Sequence, residues 1–354
     1  MDIAIHLGAH CTDEDLILKT LSDNQELMQK HSVAIPPAGK ARPAIRKALQ
    51  SGGNLVPGMG NPLITDLLDK VTADRLVLSY EGFLGVYAKV LSGASIYEGA
   101  GKRAQMLRDL FPGHTVEFFL AVRNPATFIP AIFEASSVED FKSFIEGHDL
   151  SQVTWSEPVA ALRAACPDVP LTIWCNEDLP LIWPDVLRII SGVEAEMTGE
   201  DAILRQIMTP GGFTRLKGYL RDNPAKGLPT WRKVVTAFLG KYADEAAVAP
   251  DIDLPGWTDE TIAGLSDLYE ADVQNRLFLG DVIGFAFTQG DDLAHHLGVV
   301  ATSLGFGHDF FHLLGDVLLF LFQPLDPLDE LTQLVGGNAI GIRRTTVGPF
   351  CDDV

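Results

Sequence analysis

The chain has 354 residues, of which 47% are hydrophobic and 21% are charged, a composition typical of globular proteins. Its formal net charge is −20, and a surface this acidic repels phosphate backbones, which argues against general nucleic-acid binding. A small anionic ligand would need a locally basic site, built from few of the 27 Lys and Arg residues.

Short apolar segments alternate with helical patterns along the first half of the chain. The patterns predict helices over residues 13–31, 42–49 and 97–111, and strands over residues 2–8, 76–79, 116–122 and 170–175. Strands that alternate with helices are typical of a parallel sheet covered on both faces. The predicted fold class is therefore α/β, a three-layer sandwich around a mostly parallel central sheet.

Polar segments come directly after three of the predicted strands. They are H-C-T-D-E-D (10–15), S-Y-E-G (79–82) and R-N-P (123–125). Ligands of parallel sheets bind beyond the carboxyl ends of the strands, so we expect these segments to form a common site. His10, at a strand end, is predicted as a catalytic residue, whereas His6 is predicted to be a buried core residue.

Four elements of the sequence resemble bacterial sulfotransferase-like proteins. They are H-L-G-A-H-C-T-D-E-D-L (6–16), L-S-Y-E-G-F (78–83), F-L-A-V-R-N-P (119–125) and W-T-D-E-T-I-A-G-L-S-D-L-Y-E-A-D-V (257–273). The elements follow the family's order over residues 1–275. The resemblance implies a P-loop NTPase-like fold. It also implies the donor 3′-phosphoadenosine 5′-phosphosulfate (PAPS), whose sulfuryl group passes to a hydroxylated or amine acceptor.

The resemblance is incomplete in the loop that would bind the donor. Cys11 stands where the family has a lysine, and Asp13 stands where it has a glycine. Glu14 and Asp15 replace two hydroxyl residues, while Thr12 matches and is implied to contact the cofactor. Carboxylates oppose a multiply charged anion, so weak or lost donor binding is expected.

The other implied site residues follow the second and third strands. Arg123 matches the residue that holds the 3′-phosphate of the donor, although Ala131 replaces an expected serine. Glu81 stands where some members place a catalytic base. Two structural alternatives stay open: an ion pair for Arg123, and a helix N-terminal position after Ser79 for Glu81.

The acids of the loop have an alternative structural interpretation. Carboxylates in a first helical turn satisfy free N–H groups, and Thr12 with Asp15 resembles a shortened capping box. This favours a sulfotransferase-like protein with a degraded donor site over an active enzyme with an unusual loop. A non-catalytic binding or interaction module that uses the same cleft is a third hypothesis. A bridging Mg²⁺ or Ca²⁺ is a third way to bind an anion there, but no metal site is predicted.

The last part of the chain differs in composition from the rest. Residues 277–354 contain no Trp, Tyr or Lys but hold nine of the 19 Phe, which predicts a separate, apolar C-terminal segment over 276–354. Charged residues interrupt its apolar stretch, so no membrane span is predicted. His308 and His312 have a helical metal-ligand spacing, which without a third ligand pattern is interpreted as fortuitous.

The four cysteines suggest a reducing environment. Cys11, Cys166, Cys175 and Cys351 form neither a disulfide framework nor a zinc pattern. The N-terminal residues M-D-I-A-I-H have no basic leader region, so no signal peptide is predicted. A cytoplasmic location is the resulting expectation, and the sequence predicts neither a specific acceptor nor an oligomeric state.

Overall fold

A parallel five-stranded sheet lies between the two helical layers of the protein. The computed structural model describes residues 1–50, 61–69, 71–92, 95–248 and 252–274. Its strands are β1 (Asp2–His6), β2 (Val33–Ala34), β3 (Arg75–Ser79), β4 (Leu91–Ser92), β5 (Ser95–Ile96), β6 (Thr115–Val122) and β7 (Leu171–Cys175). The central sheet has the order β2-β3-β1-β6-β7 with every neighbouring pair parallel, and β4 and β5 form a separate antiparallel ribbon.

Helices cover both faces of this sheet. They are α1 (Leu16–Asp23), α2 (Gln25–Lys30), α3 (Ala38–Gln50), α4 (Pro62–Leu68), α5 (Ala100–Arg108), α6 (Pro125–Glu134), α7 (Phe141–Ile145), α8 (Ser156–Ala165), α9 (Leu179–Ser191), α10 (Ala202–Ile207), α11 (Pro210–Asp222), α12 (Leu228–Tyr242), α13 (Glu245–Val248) and α14 (Asp259–Asp272). One hydrophobic core includes residues of α3, α5, α6, α8 and α14, and the other includes residues of α1 and α9–α12.

The side chains of β1 explain how one strand serves both cores. Ile3 and Ile5 contribute to the first core and Ala4 to the second, because successive side chains of a strand point to opposite faces. All three are fully buried. A central parallel strand is therefore apolar without interruption, which is why the sequence signal for β1 was strong.

The predicted α/β class and the four predicted strands are confirmed, with bounds shifted by a residue or two. The predicted helix over 13–31 is wrong as a single element, because α1 ends at Asp23 and α2 begins at Gln25. The Asn24 side chain lies at this break, donating to the carbonyl of Thr20 at 2.8 Å and accepting from the amide of Thr198 at 2.9 Å. A side chain that bonds the backbone in this way competes with continuation of the helix.

The C-terminal segment lies outside the described residues. The predicted boundary at 275/276, the apolar tail and His308 with His312 therefore stay predictions. Among the residues that are described, none of the helices combines the length and the apolar character needed to cross a membrane.

Candidate functional site

The predicted site residues gather beyond the carboxyl ends of β1, β3 and β6. The loop over residues 7–15 leaves β1, Glu81 follows β3, and Arg123 follows β6. After β1 the chain continues towards β2, whereas after β6 it continues towards β7 on the other side of the sheet. The point where the two directions diverge, between β1 and β6, is where open α/β sheets bind ligands.

The backbone of the loop is held close to its neighbours. The amide of Ala9 donates to the carbonyl of Ala121 at 3.0 Å, and the amide of Ala121 donates to the carbonyl of Gly8 at 2.6 Å. Gly8 has φ +101°, and a Cβ there would lie 3.0 Å from Cα of Glu81. Glycine is therefore required both for its conformation and for the close approach of Glu81.

Both carboxylate oxygens of Glu81 accept hydrogen bonds, one of them from the loop. Its Oε2 accepts the backbone N–H of Cys11 at 2.9 Å, and its Oε1 accepts the hydroxyl of Tyr87. Glu81 also begins a short 3₁₀ turn, Glu81–Phe83. Both oxygens of the Glu81 carboxylate thus accept hydrogen bonds from the protein itself, and the catalytic role of Glu81 stays a prediction.

His10 is buried and held by a tyrosine. Only 1% of it is exposed, and the hydroxyl of Tyr97 lies 2.6 Å from its Nδ1 and 3.0 Å from its backbone nitrogen. Burial lowers the pKa of His10 to about 4, against a smaller raising effect of Glu81. The Tyr97 oxygen accepts the backbone N–H of His10. We therefore assign the Tyr97 hydroxyl as the donor to Nδ1, so that Nδ1 is the acceptor and the neutral ring carries its proton on Nε2.

His6 is a buried core residue, as predicted. It is fully buried, its Nδ1 lies 2.8 Å from Oγ of Ser79, and its ring stacks on Trp174. Burial lowers the pKa of His6, while Asp13 and Glu81 act in the opposite direction. The imidazole is therefore a neutral structural group.

The three acids of the loop lie in three different environments. Asp13 is buried and its Oδ2 accepts the amide of Ile17 at 3.1 Å, while burial raises the pKa of this carboxyl. Glu14 is exposed to solvent. Asp15 pairs with Arg42, whose guanidinium also lies over the ring of Tyr80.

The predicted capping box of Thr12 and Asp15 is wrong in its residues. Thr12 donates its hydroxyl to the carbonyl of Ala9 at 2.7 Å, and no side chain caps α1 from Asp15, which has φ 65°. The capping acid is Asp13, two residues earlier than expected. An acid at the start of α1 does satisfy a first-turn amide, so the general interpretation holds with a different residue.

Arg123 supports the loop from the β6 side. Its Nη1 donates to the carbonyl of Cys11 at 2.6 Å, and its Nε donates to Oγ1 of Thr127 at 3.1 Å. No carboxylate lies within 4 Å of Arg123 in the described part of the chain, so the ion-pair alternative finds no partner there. Arg123 and Glu81 therefore hold the two backbone polar groups of the same residue, Cys11.

The setting of Cys11 favours the protonated form of its thiol. Burial, followed by the nearby Glu81, raises the pKa of Cys11 to about 12, and Arg123 offsets only part of this. A thiol with such a pKa stays protonated near neutral pH and is a poor nucleophile. The three cysteines of the described residues are free.

A second polar cluster at the end of β7 was not predicted from the sequence. Oε1 of Glu177 accepts the amide of Asn124 at 2.8 Å, and its Oε2 accepts the hydroxyl of Tyr269 at 2.9 Å. Nδ2 of Asn124 donates to Oγ of Ser266 at 3.0 Å. These contacts tie α14 to the end of the sheet. Burial raises the pKa of Glu177, and burial together with Glu177 raises the pKa of Asp178 to about 7.

Tyr87 and Tyr97 are site residues that the sequence did not indicate. Both follow the S-Y-E-G segment and precede α5, in a part of the sequence where no site motif was identified. The hydroxyl of Tyr87 donates to Glu81, and the hydroxyl of Tyr97 lies 2.6 Å from Nδ1 of His10. Within the described residues, no group of three or more His, Cys, Asp or Glu side chains is arranged to hold a metal ion.

No protein-family model matches this chain, and the search of curated proteins finds no match.

Proposed function

We propose that the chain is a sulfotransferase-like protein whose donor site is closed by its own Glu81, so that sulfuryl transfer is weak or absent. The hydrogen bond from the Cys11 amide to Glu81 Oε2, at 2.9 Å, is the observation that carries this proposal. A donor loop acts by offering backbone N–H groups to an anion. In this chain a carboxylate of the protein already accepts one of these groups.

Electrostatics supports the same proposal. Sulfuryl transfer, like phosphoryl transfer, depends on stabilising charge and aligning the reactants. A like-charge pair at ~4 Å costs roughly 1 kcal/mol in water and ~4 kcal/mol at an effective dielectric of 20. Glu81 at the loop and Glu14 beside it would both oppose the multiply charged PAPS.

The remaining cofactor-binding candidates fit PAPS poorly as they stand. The hydroxyl of Thr12 donates to the carbonyl of Ala9, and Nη1 of Arg123 donates to the carbonyl of Cys11. Both donors support the protein's own loop. The residues therefore do not form a donor cradle. The P-loop NTPase-like fold remains part of this proposal.

The alternative to a closed site is an active PAPS-dependent sulfotransferase, and the position of Arg123 and Glu81 favours it. Arg123 and Glu81 flank Cys11 at the point where ligands of such sheets bind. A donor that displaces Glu81 would meet the Cys11 amide and the Arg123 guanidinium together. A non-catalytic module that binds a small anion or a hydroxylated molecule in the same cleft is the third hypothesis.

Calorimetric titration with adenosine 3′,5′-bisphosphate, with and without Mg²⁺, tests the proposal. The wild-type chain is expected to bind weakly or not at all, whereas Glu81→Gln, which removes the internal charge, is expected to bind at least about tenfold more tightly. Glu139→Gln, an exposed position away from the loop, removes the same charge and serves as the control. Micromolar binding by the wild type would refute the closed-site proposal and favour the active enzyme.

A further inference from the structure

One helical region of the chain carries a local excess of positive charge. Residues 202–243 hold eight of the 27 Lys and Arg but only one of the 47 Asp and Glu. The following residues, 244–274, hold nine Asp and Glu and neither Lys nor Arg. In a chain with a net charge of −20, this region is a local excess of positive charge that a uniform surface composition would not produce.

The region is built as a hairpin of α11 and α12. Leu216, Val235 and Leu239 are buried in the second core and anchor the two helices there. The rings of Tyr219 and Phe238 lie 5.6 Å apart between the helices. The residues that connect the helices, and the first turn of α12, are largely exposed to solvent.

The exposed end of the hairpin, residues 221–233, is here named the α11–α12 tip. Its sequence is R-D-N-P-A-K-G-L-P-T-W-R-K, with four cations and one acid. Asp222 pairs with Arg221, and Arg232 pairs with Asp185 of α9. Lys226 and Lys233 are exposed and have no carboxylate within 4 Å among the described residues.

Apolar side chains lie among these cations. Leu228 is 38% exposed, one of four large hydrophobic side chains that are exposed in the described part of the chain. Trp231 is partly buried against the second core, one helical turn further along α12. A surface that combines Lys with an exposed Leu and a nearby Trp is typical of segments that rest in the interface of a bilayer.

We propose that the α11–α12 tip binds peripherally to an anionic lipid surface. Lys226 and Lys233 would meet the lipid phosphates and carboxylates, and Leu228 would enter the boundary between headgroups and acyl chains. A nucleic acid would use the cations but offers no apolar layer for Leu228. This exposed apolar side chain is why we favour a lipid surface.

The acidic remainder of the chain does not prevent this contact. α12 has 15 residues and is therefore about 22 Å long, whereas charges at physiological ionic strength are screened over about 8 Å. An anionic surface at the tip interacts mainly with residues near the tip. Acids more than one screening length away contribute little repulsion.

Flotation of the full chain with lipid vesicles tests this proposal. At physiological ionic strength the protein is expected to float with phosphatidylcholine vesicles that contain about one-third phosphatidylserine, and not with pure phosphatidylcholine. Lys226→Glu with Lys233→Glu is expected to weaken binding at least about tenfold. Leu228→Asp is also expected to weaken it, and it leaves the fold intact because an acid suits the first turn of a helix.

The matched control reverses two charges elsewhere. Lys102→Glu with Arg103→Glu makes the same change in net charge on the exposed side of α5, and its binding is expected to equal that of the wild type. Equal losses in the two double variants would show that net charge alone is responsible and would overturn the proposal. Absent binding to phosphatidylserine vesicles, or tighter binding to single-stranded RNA than to vesicles, would overturn it as well.

Discussion

The carboxylate of Glu81 accepts the backbone N–H of Cys11 at 2.9 Å, across 70 residues of sequence. Gly8 permits this contact because a Cβ there would lie 3.0 Å from Cα of Glu81. On the other side of Cys11, Arg123 bonds the carbonyl oxygen at 2.6 Å. The loop is therefore fixed by one internal anion and one internal cation, and each can be removed separately.

Introducing the loop pattern of sulfotransferase-like proteins alone should not produce donor binding. The variant Cys11→Lys, Asp13→Gly, Glu14→Thr, Asp15→Thr still contains Glu81 on the loop amide. Adding Glu81→Gln is expected to increase the affinity for adenosine 3′,5′-bisphosphate at least about tenfold further, measured by calorimetry. Thermal melting verifies that both variants are folded. If the loop variant alone binds as tightly as the combination, Glu81 does not close the site.

Arg123 should matter for nucleotide binding only after Glu81 is neutralised. In a Glu81→Gln background, Arg123→Ala is expected to lower the bisphosphate affinity at least about tenfold, because it removes a charge-assisted hydrogen bond. In the wild-type background the same change should lower the free energy of unfolding by about 1–3 kcal/mol, through loss of the Cys11 and Thr127 bonds. Arg123→Lys, which keeps the charge, is the control. An unchanged affinity would assign Arg123 to loop support alone.

Asp13 should stabilise α1 as a hydrogen-bond acceptor. Its Oδ2 accepts the amide of Ile17, so Asp13→Ala is expected to lower the free energy of unfolding by about 1 kcal/mol. Asp13→Asn keeps an acceptor oxygen and removes a buried charge, so it should be more stable than the alanine variant. Glu14→Ala, at an exposed position, should change stability by less than about 0.5 kcal/mol. Urea unfolding measures all three, and an alanine variant as stable as the asparagine variant would contradict a capping role.

His10 should make the protein less stable as the pH falls through the range from about 6.5 to about 4. Burial lowers the pKa of His10 to about 4, so in this range the unfolded chain binds a proton that the folded chain does not. The contribution lost over the range is on the order of 3 kcal/mol. His10→Gln is expected to lose less stability between about pH 7 and about pH 4.5, measured by urea unfolding.

His31→Gln is the control for this comparison, because His31 is exposed. His6 also has a pKa lowered by burial, so part of the acid sensitivity should remain in the His10 variant. Equal pH dependence of the His10 variant and the wild type would contradict the assignment of a neutral, buried imidazole.

A chain that ends at residue 276 should remain folded. The described residues already include the five strands of the central sheet and the helices on both of its faces. Within them, α14 contributes Leu265 and Tyr269 to the first core. Thermal melting of the shortened chain should give a cooperative transition within a few degrees of the full chain. An insoluble product, or a melting temperature lowered by tens of degrees, would show that the remaining residues belong to the same core.

The sequence determined the sheet and the general location of the site. The buried strands β1, β3, β6 and β7 are short apolar runs, and their pattern depends on local composition alone. Polar segments after these strands placed His10, Glu81 and Arg123 at one edge, because parallel strands end on the same side. The short strand β2 was missed, since two residues carry no periodic signal.

Only the tertiary structure decided what the site residues contact. Nothing in the local sequence of Glu81 indicates that it bonds the Cys11 amide, or that Tyr97 holds His10, because these bonds join residues 70 and 87 positions apart. The ion pair of Asp15 likewise joins it to Arg42 of α3, 27 residues further along the chain, whereas the bond of Asp13 to the amide of Ile17 is local. Composition predicts which groups are present, whereas burial and distance determine which of them remain free to bind a ligand.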